Sequence, residues 1–289
     1  MCIRDSMIRD HFCGNQFDMC TIINGKSGLC SENCKFCAQS SHYNTGSKVY
    51  SLLSEEEILA DAKKNADQGV MRYSIVTAGR SLSDGEVDRM CHIIRRIKEE
   101  VHISVCVSFG LLEEDQFRRL KEAGAERVHN NLEASENFFP SVCTSHSFSD
   151  KVQAIRAAQA AGLDVCSGGI MGLGEGIEDR IDMALSLRDL GIESIPVNML
   201  NPIPGTPMEK YESLDEKEMQ RIIAVYRFIL PKAFIRLAGG RGLMSDKGKA
   251  CFMSGANAAI SGDMLTTAGI TVDKDKKLLE ELDYRIKPL

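Results

Sequence analysis

The chain has 289 residues, 43% of them hydrophobic, and a formal net charge of −6. This length and composition suffice to bury the core of a globular domain without disulfide bonds. The sequence shows no basic stripe, no apolar run of about 18 residues and no signal peptide, so we expect a cytoplasmic protein that binds neither nucleic acid nor a membrane.

The first part of the chain leads into a strand and a long loop. Residues 1–6 show no helical or strand period and are interpreted as an artefact of gene assembly, with Met7 as the natural start. An apolar run predicts a first strand over residues 19–23. The polar residues 24–50 predict a loop, which holds the densest group of cysteines in the chain.

Two capping boxes mark helix starts beyond this loop. Ser54 with Glu57, and Ser83 with Glu86, have the spacing in which each side chain caps the backbone N–H of the other residue. Short apolar runs then alternate with amphipathic segments. The predicted strands cover residues 72–77, 103–108, 127–132, 163–169, 194–199, 234–237 and 257–260. The predicted helices cover residues 54–68, 83–97, 113–123, 150–161, 178–190, 215–230 and 246–253.

This regular alternation indicates an α/β fold with a parallel sheet and helices outside it. About eight β/α units favour a closed (β/α)8 TIM-type barrel, in a single domain over residues 7–272. An open, doubly wound sheet is the alternative, because the pattern does not show closure. Residues 273–289 are rich in charge and predict a frayed tail. In a barrel, we expect active residues at the carboxyl ends of strands or in the loops after them.

Three of the eleven cysteines stand in the segment CSENCKFC, directly after the first strand. In a chain without secretory features, many cysteines indicate metal ligands or catalysis rather than disulfides. Cys30, Cys34 and Cys37 can each bind one iron of a 4Fe-4S cluster, which leaves the fourth iron open for a substrate. The alternative is a zinc site completed by His42, since structural zinc takes four closed ligands.

This CxxxCxxC loop resembles the signature of the radical S-adenosylmethionine (radical SAM) superfamily, in which an aromatic residue precedes the third cysteine, as Phe36 does here. The resemblance implies that the open iron binds S-adenosylmethionine and that an electron from the cluster splits it into a 5′-deoxyadenosyl radical. Because the radical removes the substrate hydrogen, no catalytic acid or base is assigned. His129 is interpreted as a polar strand residue.

Longer motifs, in the same order along the chain, resemble those of the biotin synthase family. They are SGLCSENCKFCAQSSHY, HNNLEAS, VCSGGIMGLGE, SIPVNML, IRLAGGR and the GAN of residues 255–257. The resemblance implies an enzyme that inserts sulfur into dethiobiotin to make biotin. The alternatives are a radical enzyme of the hydrogenase-maturation or methylornithine-forming type, and a non-catalytic zinc-binding barrel.

The family binds an auxiliary iron–sulfur cluster, its sulfur source, through three cysteines and an arginine inside the barrel. By resemblance, Cys106, Cys166 and Arg236 match three of these positions, and Ser74 stands at the fourth. A serine hydroxyl is a poor iron ligand at neutral pH, because its pKa is far above that of a thiol. We hypothesise that Cys20, on the neighbouring first strand, replaces the missing thiolate. The cluster is then of the 2Fe-2S type or of a four-iron type, as in some family members from anaerobes.

Three further residues match family positions near the small molecules. Asn131 and Glu133 correspond to positions near the ureido ring of dethiobiotin and the ribose of S-adenosylmethionine, and Asn198 corresponds to another substrate contact. An amide suits a ureido ring because it offers both a donor and an acceptor. The family usually has aspartate where Glu133 stands. Arg72 is interpreted as the partner of a carboxylate or as a helix-capping residue.

The resemblance also implies partners. A small electron-transfer protein of the flavodoxin or ferredoxin type would reduce the enzyme, and two chains would form a homodimer. The variant ligand set points to an anaerobic source, and the family carries a helical segment before the first strand, of which this chain has a short part. The remaining cysteines are interpreted as packing residues (Cys91 and Cys251) or are assigned no role (Cys13 and Cys143).

Overall fold

The structure is a computed structural model that describes residues 2–287. Its β-strands are Gln16–Lys26 (β1), Arg72–Thr77 (β2), Ser104–Ser108 (β3), Arg127–His129 (β4), Asp164–Cys166 (β5), Gly169–Met171 (β6), Ser194–Met199 (β7), Phe234–Leu237 (β8), Ala258–Ser261 (β9) and Arg285–Ile286 (β10). Its α-helices are Cys2–Cys13 (α1), Glu55–Asp67 (α2), Asp84–Glu100 (α3), Glu114–Glu122 (α4), Phe139–Val142 (α5), Phe148–Ala160 (α6), Ile177–Asp189 (α7), Glu216–Ile229 (α8), Lys249–Met253 (α9) and Val272–Glu281 (α10).

The sheet closes on itself, which confirms the (β/α)8 barrel and excludes the open sheet. Its strands are paired in parallel in the order β1-β2-β3-β4-β5-β7-β8-β9, and β9 pairs back with β1. β6 also pairs with β7 and follows β5 after a break of two residues, so the two short strands share one of the eight positions. The prediction of a single strand over residues 163–169 is therefore wrong, because Ser167 and Gly168 interrupt it.

The outer helices cover the barrel because each presents an apolar face to it. Along α3, the residues Val87, Met90, Ile94 and Ile97 are buried, a spacing that places them on one side of a helix. Both predicted capping boxes are present at the starts of α2 and α3. Within residues 2–287, none of the helices combines the length and the apolar content that a membrane crossing requires.

The structure corrects the predictions at both ends of the described chain. Residues 2–6, predicted to lack a helical period, belong to α1, which packs against α8. The tail is not frayed, since α10 buries Leu279 and Asp275, and β10 pairs with β1. The carboxylate of Asp275 accepts a hydrogen bond from Arg241 at 2.8 Å. Residues 1, 288 and 289 lie outside the described residues.

A cavity of about 390 Å³ occupies the interior of the barrel and its carboxyl-terminal mouth. Its walls include side chains from the barrel strands and from the long loop after β1, as expected for the active region of such a barrel. The six cysteines predicted to bind iron all line this cavity: Cys20, Cys30, Cys34, Cys37, Cys106 and Cys166.

Candidate active site

The loop after β1 folds into a compact turn that holds three cysteines together; we call Cys30, Cys34 and Cys37 the loop site. The Cys30 N–H donates to the Gln39 carbonyl at 3.0 Å, and the Cys30 carbonyl accepts from the Ser41 N–H at 2.8 Å. Inside this closure, the Cys37 N–H donates to the Cys34 carbonyl at 3.0 Å. Backbone hydrogen bonds therefore fix the spacing of the thiols where no regular element does.

The loop-site thiols are half-buried and face the cavity. Burial raises the pKa of Cys37 to about 11, so this thiol needs a bound cation to become a thiolate near neutral pH. Metal binding provides that cation, because a metal ion replaces the thiol proton. Three such thiols on one short loop fit a 4Fe-4S cluster, which they would hold at the wall of the cavity through three of its irons.

Phe36 and His42, the two other loop residues considered as possible site residues, have different surroundings. Phe36 packs against an apolar cluster that includes Ala134 and Leu173, and it also lines the cavity. His42 has its Nε2 atom 3.0 Å from the Ser31 carbonyl oxygen. In the described part of the chain, His42 does not belong to the set of metal-ligating side chains that converge within 4.8 Å. The geometry therefore does not favour a zinc site that uses His42.

A second group of side chains lies deeper in the barrel; we call Cys20, Cys106, Cys166 and Arg236 the floor site. The three cysteines are buried. The Arg236 Nη1 donates to the Cys20 Sγ at 3.3 Å, and its Nη2 donates to the carboxylate of Asp18. The structure thus places Cys20 against the Arg236 guanidinium group, and Cys106 and Cys166 line the same cavity.

Parallel pairing explains why Cys20 and Ser74 face the same space. On the neighbouring strands β1 and β2, Cys20 stands opposite Arg72, and Ile22 stands opposite Ser74. Ser74 in turn stands opposite Cys106 on β3. Both Cys20 and Ser74 line the cavity, which confirms the prediction that they face one interior volume.

Asp18 of β1 is fully buried and surrounded by three guanidinium groups. Besides the contact with Arg236, its Oδ2 lies 3.6 Å from Arg127 and 4.0 Å from Arg72. Burial opposes ionisation of this carboxyl group, but the three arginines outweigh burial and lower its pKa. Arg72 therefore meets a carboxylate, which was one of its two predicted roles.

This arrangement leaves an excess of positive charge inside the barrel, since three guanidinium groups face the Asp18 carboxylate and the partly exposed Glu126 balances Arg72 only in part. Four nitrogen atoms of the group have no hydrogen-bond partner: Arg72 Nε, Arg127 Nε, Arg127 Nη1 and Arg236 Nε. Buried charge without a partner is costly. Three thiolates and an anionic cluster beside these arginines would supply both the missing negative charge and the missing hydrogen-bond acceptors. The floor site therefore fits an iron–sulfur cluster.

The floor-site thiols differ in how readily they ionise. Burial raises the pKa of Cys106 to about 12 and also raises that of Cys20. Burial opposes ionisation of Cys166 too, but a hydrogen bond with His129 and the charge of Arg236 lower its pKa to about 6. Cys166 is therefore the thiol of this group that is readiest to bind metal.

Comparison with known proteins places the chain in a family. Residues 26–187 match the Radical SAM superfamily, and residues 196–285 match the Biotin and Thiamin Synthesis associated domain. A biotin synthase of Brachyspira hyodysenteriae is 61% identical over 99% of this chain and 86% of its own length. The chain belongs to the biotin synthase family. A second family member, from Akkermansia muciniphila, is 56% identical over 99% of this chain and 89% of its own length.

Solved structures share the fold of this biotin synthase family member at lower identity. Methylornithine synthase has a TM-score of 0.84 at 21% identity, over 99% of this chain and 88% of its own. An FeFe-hydrogenase maturase of Carboxydothermus hydrogenoformans has a TM-score of 0.84 at 18% identity, over 98% of this chain and 70% of its own. At such identities these likenesses support the barrel fold alone.

In this biotin synthase family member, the break between β5 and β6 brings three backbone segments together. A Cβ on Gly168 would lie 1.9 Å from the Pro196 carbonyl oxygen, and one on Gly169 would lie 2.5 Å from that of Glu133. Only glycine permits such approaches. Glu133 itself has a φ of 71°, a left-handed conformation that is strained for a non-glycine residue and is typical of functional sites.

Asn131 and Glu133 lie side by side on the cavity wall. The Asn131 Nδ2 donates to the Glu133 Oε2 at 3.3 Å, and the Asn131 Oδ1 accepts from the Gly168 N–H at 3.1 Å. Burial raises the pKa of Glu133, and the charge of nearby Lys151 partly opposes this. The Lys151 Nζ donates to the Asn130 Oδ1 at 3.3 Å. This part of the wall therefore offers an amide, a carboxyl group and an ammonium group to a polar ligand.

Asn198 lines the cavity but is largely engaged with the backbone. Its Nδ2 donates to the Gly169 carbonyl at 3.1 Å, and its Oδ1 accepts from the Gly239 N–H at 2.8 Å. It thereby ties β6 to the loop after β8. An amide can still contact a ligand through its second hydrogen and second lone pair.

The sequence did not single out Asp18, Arg127 or Lys151 as parts of the site. Asp18 and Arg127 carry a signal, because each is a charged residue in a short apolar strand and a buried charge needs a partner. Lys151 carries none, since it reads as one more polar residue of an outer helix. Cys143, which was assigned no role, has its Sγ 3.7 Å from the Sγ of Cys34.

Proposed function

We propose that the protein is a radical SAM sulfurtransferase that converts dethiobiotin to biotin. The observation that carries this proposal is the single cavity lined by both the loop site and the floor site, in a chain 61% identical to a biotin synthase. Maturase-type and methylornithine-forming enzymes share the loop site but do not need the floor site. A zinc-binding barrel would need neither the cavity nor the buried arginines.

Two iron–sulfur groups and one organic cofactor belong to this proposal. The radical SAM superfamily uses a 4Fe-4S cluster with S-adenosylmethionine, and the biotin synthase family adds an auxiliary iron–sulfur cluster. When bound, these groups supply the radical that removes hydrogen from carbon and the sulfur that replaces it. The loop site would hold the 4Fe-4S cluster, and the floor site would hold the auxiliary cluster, of two or four irons.

Between the two sites, the residues of the chain bind and orient the reactants. Glu133 would accept hydrogen bonds from the ribose hydroxyls of S-adenosylmethionine, and Phe36, which lines the cavity beside the loop site, would contact the cofactor. Asn131 and Asn198 present amides to the ureido ring of dethiobiotin. Holding the reacting carbon atoms between the loop site and the floor site makes the reaction effectively unimolecular, which lowers its barrier.

The floor arginines fix the geometry of the inner end of the cavity, where the auxiliary cluster would supply sulfur. Asp18 orients Arg236, because both of them are buried and their side chains are hydrogen-bonded. The oriented guanidinium group then lies against the Cys20 sulfur. Charge-assisted hydrogen bonds of this kind are shorter and stronger than neutral ones, so they hold this end of the cavity in one geometry.

The proposal extends to partners and organisation on the resemblance to the family. A flavodoxin- or ferredoxin-type protein delivers the electron that the reaction needs. The chain forms a homodimer and acts in the cytoplasm of an anaerobe.

An anaerobic assay tests the proposed reaction. Protein reconstituted with iron and sulfide is incubated with a reductant, S-adenosylmethionine and dethiobiotin, and 5′-deoxyadenosine and biotin are quantified in the same sample. The proposal expects both products and a brown protein. Deoxyadenosine without biotin would point instead to a related radical reaction, and a colourless protein that binds zinc would point to the non-catalytic barrel.

A further inference from the structure

A second set of metal-ligating side chains lies beside the loop site. Cys34, Cys143 and His146 are the one group of histidine, cysteine and acidic side chains, among residues 2–287, whose ligand atoms all lie within 4.8 Å of one another. The two Sγ atoms are 3.7 Å apart, and the Cys143 Sγ lies 3.3 Å from the His146 Nδ1. Cys34 is thus shared between this set and the loop site.

These separations are those of ligands on one tetrahedral metal ion. With metal–sulfur bonds of about 2.3 Å, two thiolates on the same tetrahedral ion lie about 3.8 Å apart. A sulfur and an imidazole nitrogen on that ion lie about 3.6 Å apart, given a metal–nitrogen bond of about 2.1 Å. Cysteines that bind different irons of one cubane lie farther apart, so Cys34 and Cys143 are arranged for a single ion.

The geometry is built by contacts that do not depend on a metal. The Asn33 Oδ1 accepts from the Thr144 N–H at 2.9 Å and from the Ser145 N–H at 3.0 Å. The Lys35 N–H donates to the Val142 carbonyl at 3.0 Å. Because these bonds flank Cys34 on one segment and Cys143 on the other, they hold the two thiols in contact.

The third ligand is also held in place. The His146 ring packs edge-on against Phe139, with ring centroids 5.5 Å apart. The Glu32 carboxylate contacts the same Nδ1 atom, and it accepts from the Ser145 Oγ at 2.8 Å. A metal ion bound at Nδ1 would replace the contact between Glu32 and His146, and the freed Glu32 carboxylate would supply an oxygen beside the three ligand atoms as a fourth ligand.

We propose that, when no cluster occupies the loop site, Cys34, Cys143 and His146 bind one divalent cation of the zinc class. Binding forms two metal–thiolate bonds and one metal–nitrogen bond, and the two thiol protons go to solvent. Cys34 cannot serve this ion and a 4Fe-4S cluster at once, so the two metal states exclude each other. The inference rests on the proposed function only for the identity of the loop-site cluster.

Cobalt(II) binding to the full-length, cluster-free chain tests the site under anaerobic conditions. The variant Cys30→Ser/Cys37→Ser removes the two loop-site thiols that this ion does not use. We expect it to bind one Co²⁺ at this site, in addition to any Co²⁺ held by the floor-site thiols, with sulfur-to-cobalt charge-transfer bands and intense visible bands of tetrahedral cobalt, and to release Co²⁺ when Zn²⁺ is added. Adding Cys143→Ser to this variant should weaken binding by more than about 100-fold, beyond the loss seen for outer-shell changes.

Matched variants decide between this site and its neighbours. On the same background, His146→Gln should weaken Co²⁺ binding, whereas His42→Gln and Cys251→Ser should leave it unchanged. Thermal unfolding of each variant separates loss of a ligand from loss of the fold. Absence of the cobalt–thiolate bands in the double variant, or bands that Cys143→Ser leaves unchanged because His42 or the floor-site thiols hold all the cobalt, would overturn the proposal.

A second measurement uses the unaltered chain. Wild-type apoprotein preloaded with Zn²⁺ should take up iron and sulfide several-fold more slowly than metal-free protein, whereas Cys143→Ser protein should show a much smaller difference. Iron content per chain over time is the readout. Equal retardation of both proteins would contradict a role for Cys143. This result is independent of biotin formation, so the inference and the proposed reaction can fail separately.

Discussion

The loop site and the floor site contain the same kind of ligand but are built differently. The loop-site cysteines stand on irregular backbone, half-buried at the mouth of the cavity, whereas the floor-site cysteines stand on barrel strands and are buried. A loop at the mouth of the cavity leaves space for a cofactor beside the cysteines, and it gives electrons a short path from the protein surface to the site. Strands fix their side chains on a rigid wall, which suits a group that must be shielded from water.

Charge separates the two regions as well. At the floor, Asp18 and three arginines leave positive charge that an anionic cluster can balance. At the mouth, Glu133 and Lys151 bring one group of each sign to the cavity wall. The floor is therefore specialised to hold an anion, and the mouth to bind a polar molecule that arrives and leaves.

The largest effect is expected from a loop-site ligand. Cys30→Ser should remove about four iron atoms per chain and lower both 5′-deoxyadenosine and biotin formation by more than about 1,000-fold, because no radical can form. Iron analysis and the anaerobic assay check this. Cys251→Ser, a buried cysteine of α9, is the control and should keep both products. Deoxyadenosine formation by Cys30→Ser protein would show that the loop site is misassigned.

A floor-site ligand should affect only part of the iron. Cys20→Ser should lower the auxiliary iron content while the loop-site cluster remains, because serine is a poor iron ligand. The double variant Cys20→Ser/Ser74→Cys should recover that iron, since Ser74 stands opposite Cys106 on the adjacent strand. Iron analysis with Mössbauer spectroscopy distinguishes the two clusters. Unchanged auxiliary iron in Cys20→Ser protein would mean that Cys20 is a packing residue.

The buried carboxylate at the floor should control stability in acid. Asp18→Asn should lower the free energy of unfolding by about 3–5 kcal/mol, because it removes the buried counter-charge that three guanidinium groups share. The pKa of Asp18 is lowered in the fold, so its contribution is complete above the unfolded value of about 4 and is lost as the pH falls through the native value.

Urea unfolding at a series of pH values measures this contribution. The variant should lack the Asp18 part of the acid destabilisation. Asp84→Asn, which removes an exposed carboxylate paired with Arg119, is the control and should change stability little. Equal stability of Asp18→Asn and wild-type protein at pH 7 would contradict the claim that Asp18 stabilises the fold by balancing the charge of the floor arginines.

A smaller effect is expected at the mouth. Asn198→Ala should raise the KM for dethiobiotin by about tenfold, near the value of one net hydrogen bond, with the cluster content unchanged. Glu133→Gln should raise the KM for S-adenosylmethionine instead. Steady-state kinetics with each substrate varied separately check this split. Equal changes in both KM values for either variant would indicate a general loosening of the wall.

The smallest effect is expected outside both regions. Ser83→Ala removes the capping box of α3 and should cost about 1 kcal/mol of stability, or about 2–4 °C in Tm. Both products should form at the wild-type rate. Loss of activity here would show that the barrel wall transmits strain to the two sites.

The strands and capped helices could be predicted because their signals are local. The strands at 72–77, 194–199 and 234–237 match the prediction at both ends, since short apolar runs bounded by polar residues have few alternatives. The break between β5 and β6 could not be predicted, because it depends on how closely Pro196 and Glu133 approach Gly168 and Gly169. The sequence did not predict that α10 is an ordered helix, because its many charged residues hide the features that hold it in place. These are the buried side chain of Leu279 and the buried ion pair between Asp275 and Arg241.

The same contrast holds for the sites. The loop site is local, so its three cysteines could be recognised by spacing, and the floor site depended on motifs spread over four strands. Asp18 and Cys143 were missed because their importance arises from partners far away in the chain, Arg236 and Cys34. Such pairings follow from barrel closure and loop folding, which no short segment encodes.

The most direct test of the division between loop and floor is the product pair formed by Cys20→Ser protein. The reconstituted variant is incubated anaerobically with reductant, S-adenosylmethionine and dethiobiotin, and 5′-deoxyadenosine and biotin are measured together. Separate roles for the two sites predict that deoxyadenosine forms while biotin falls by more than about 100-fold. Biotin formation at the wild-type rate, or loss of both products together, would contradict them.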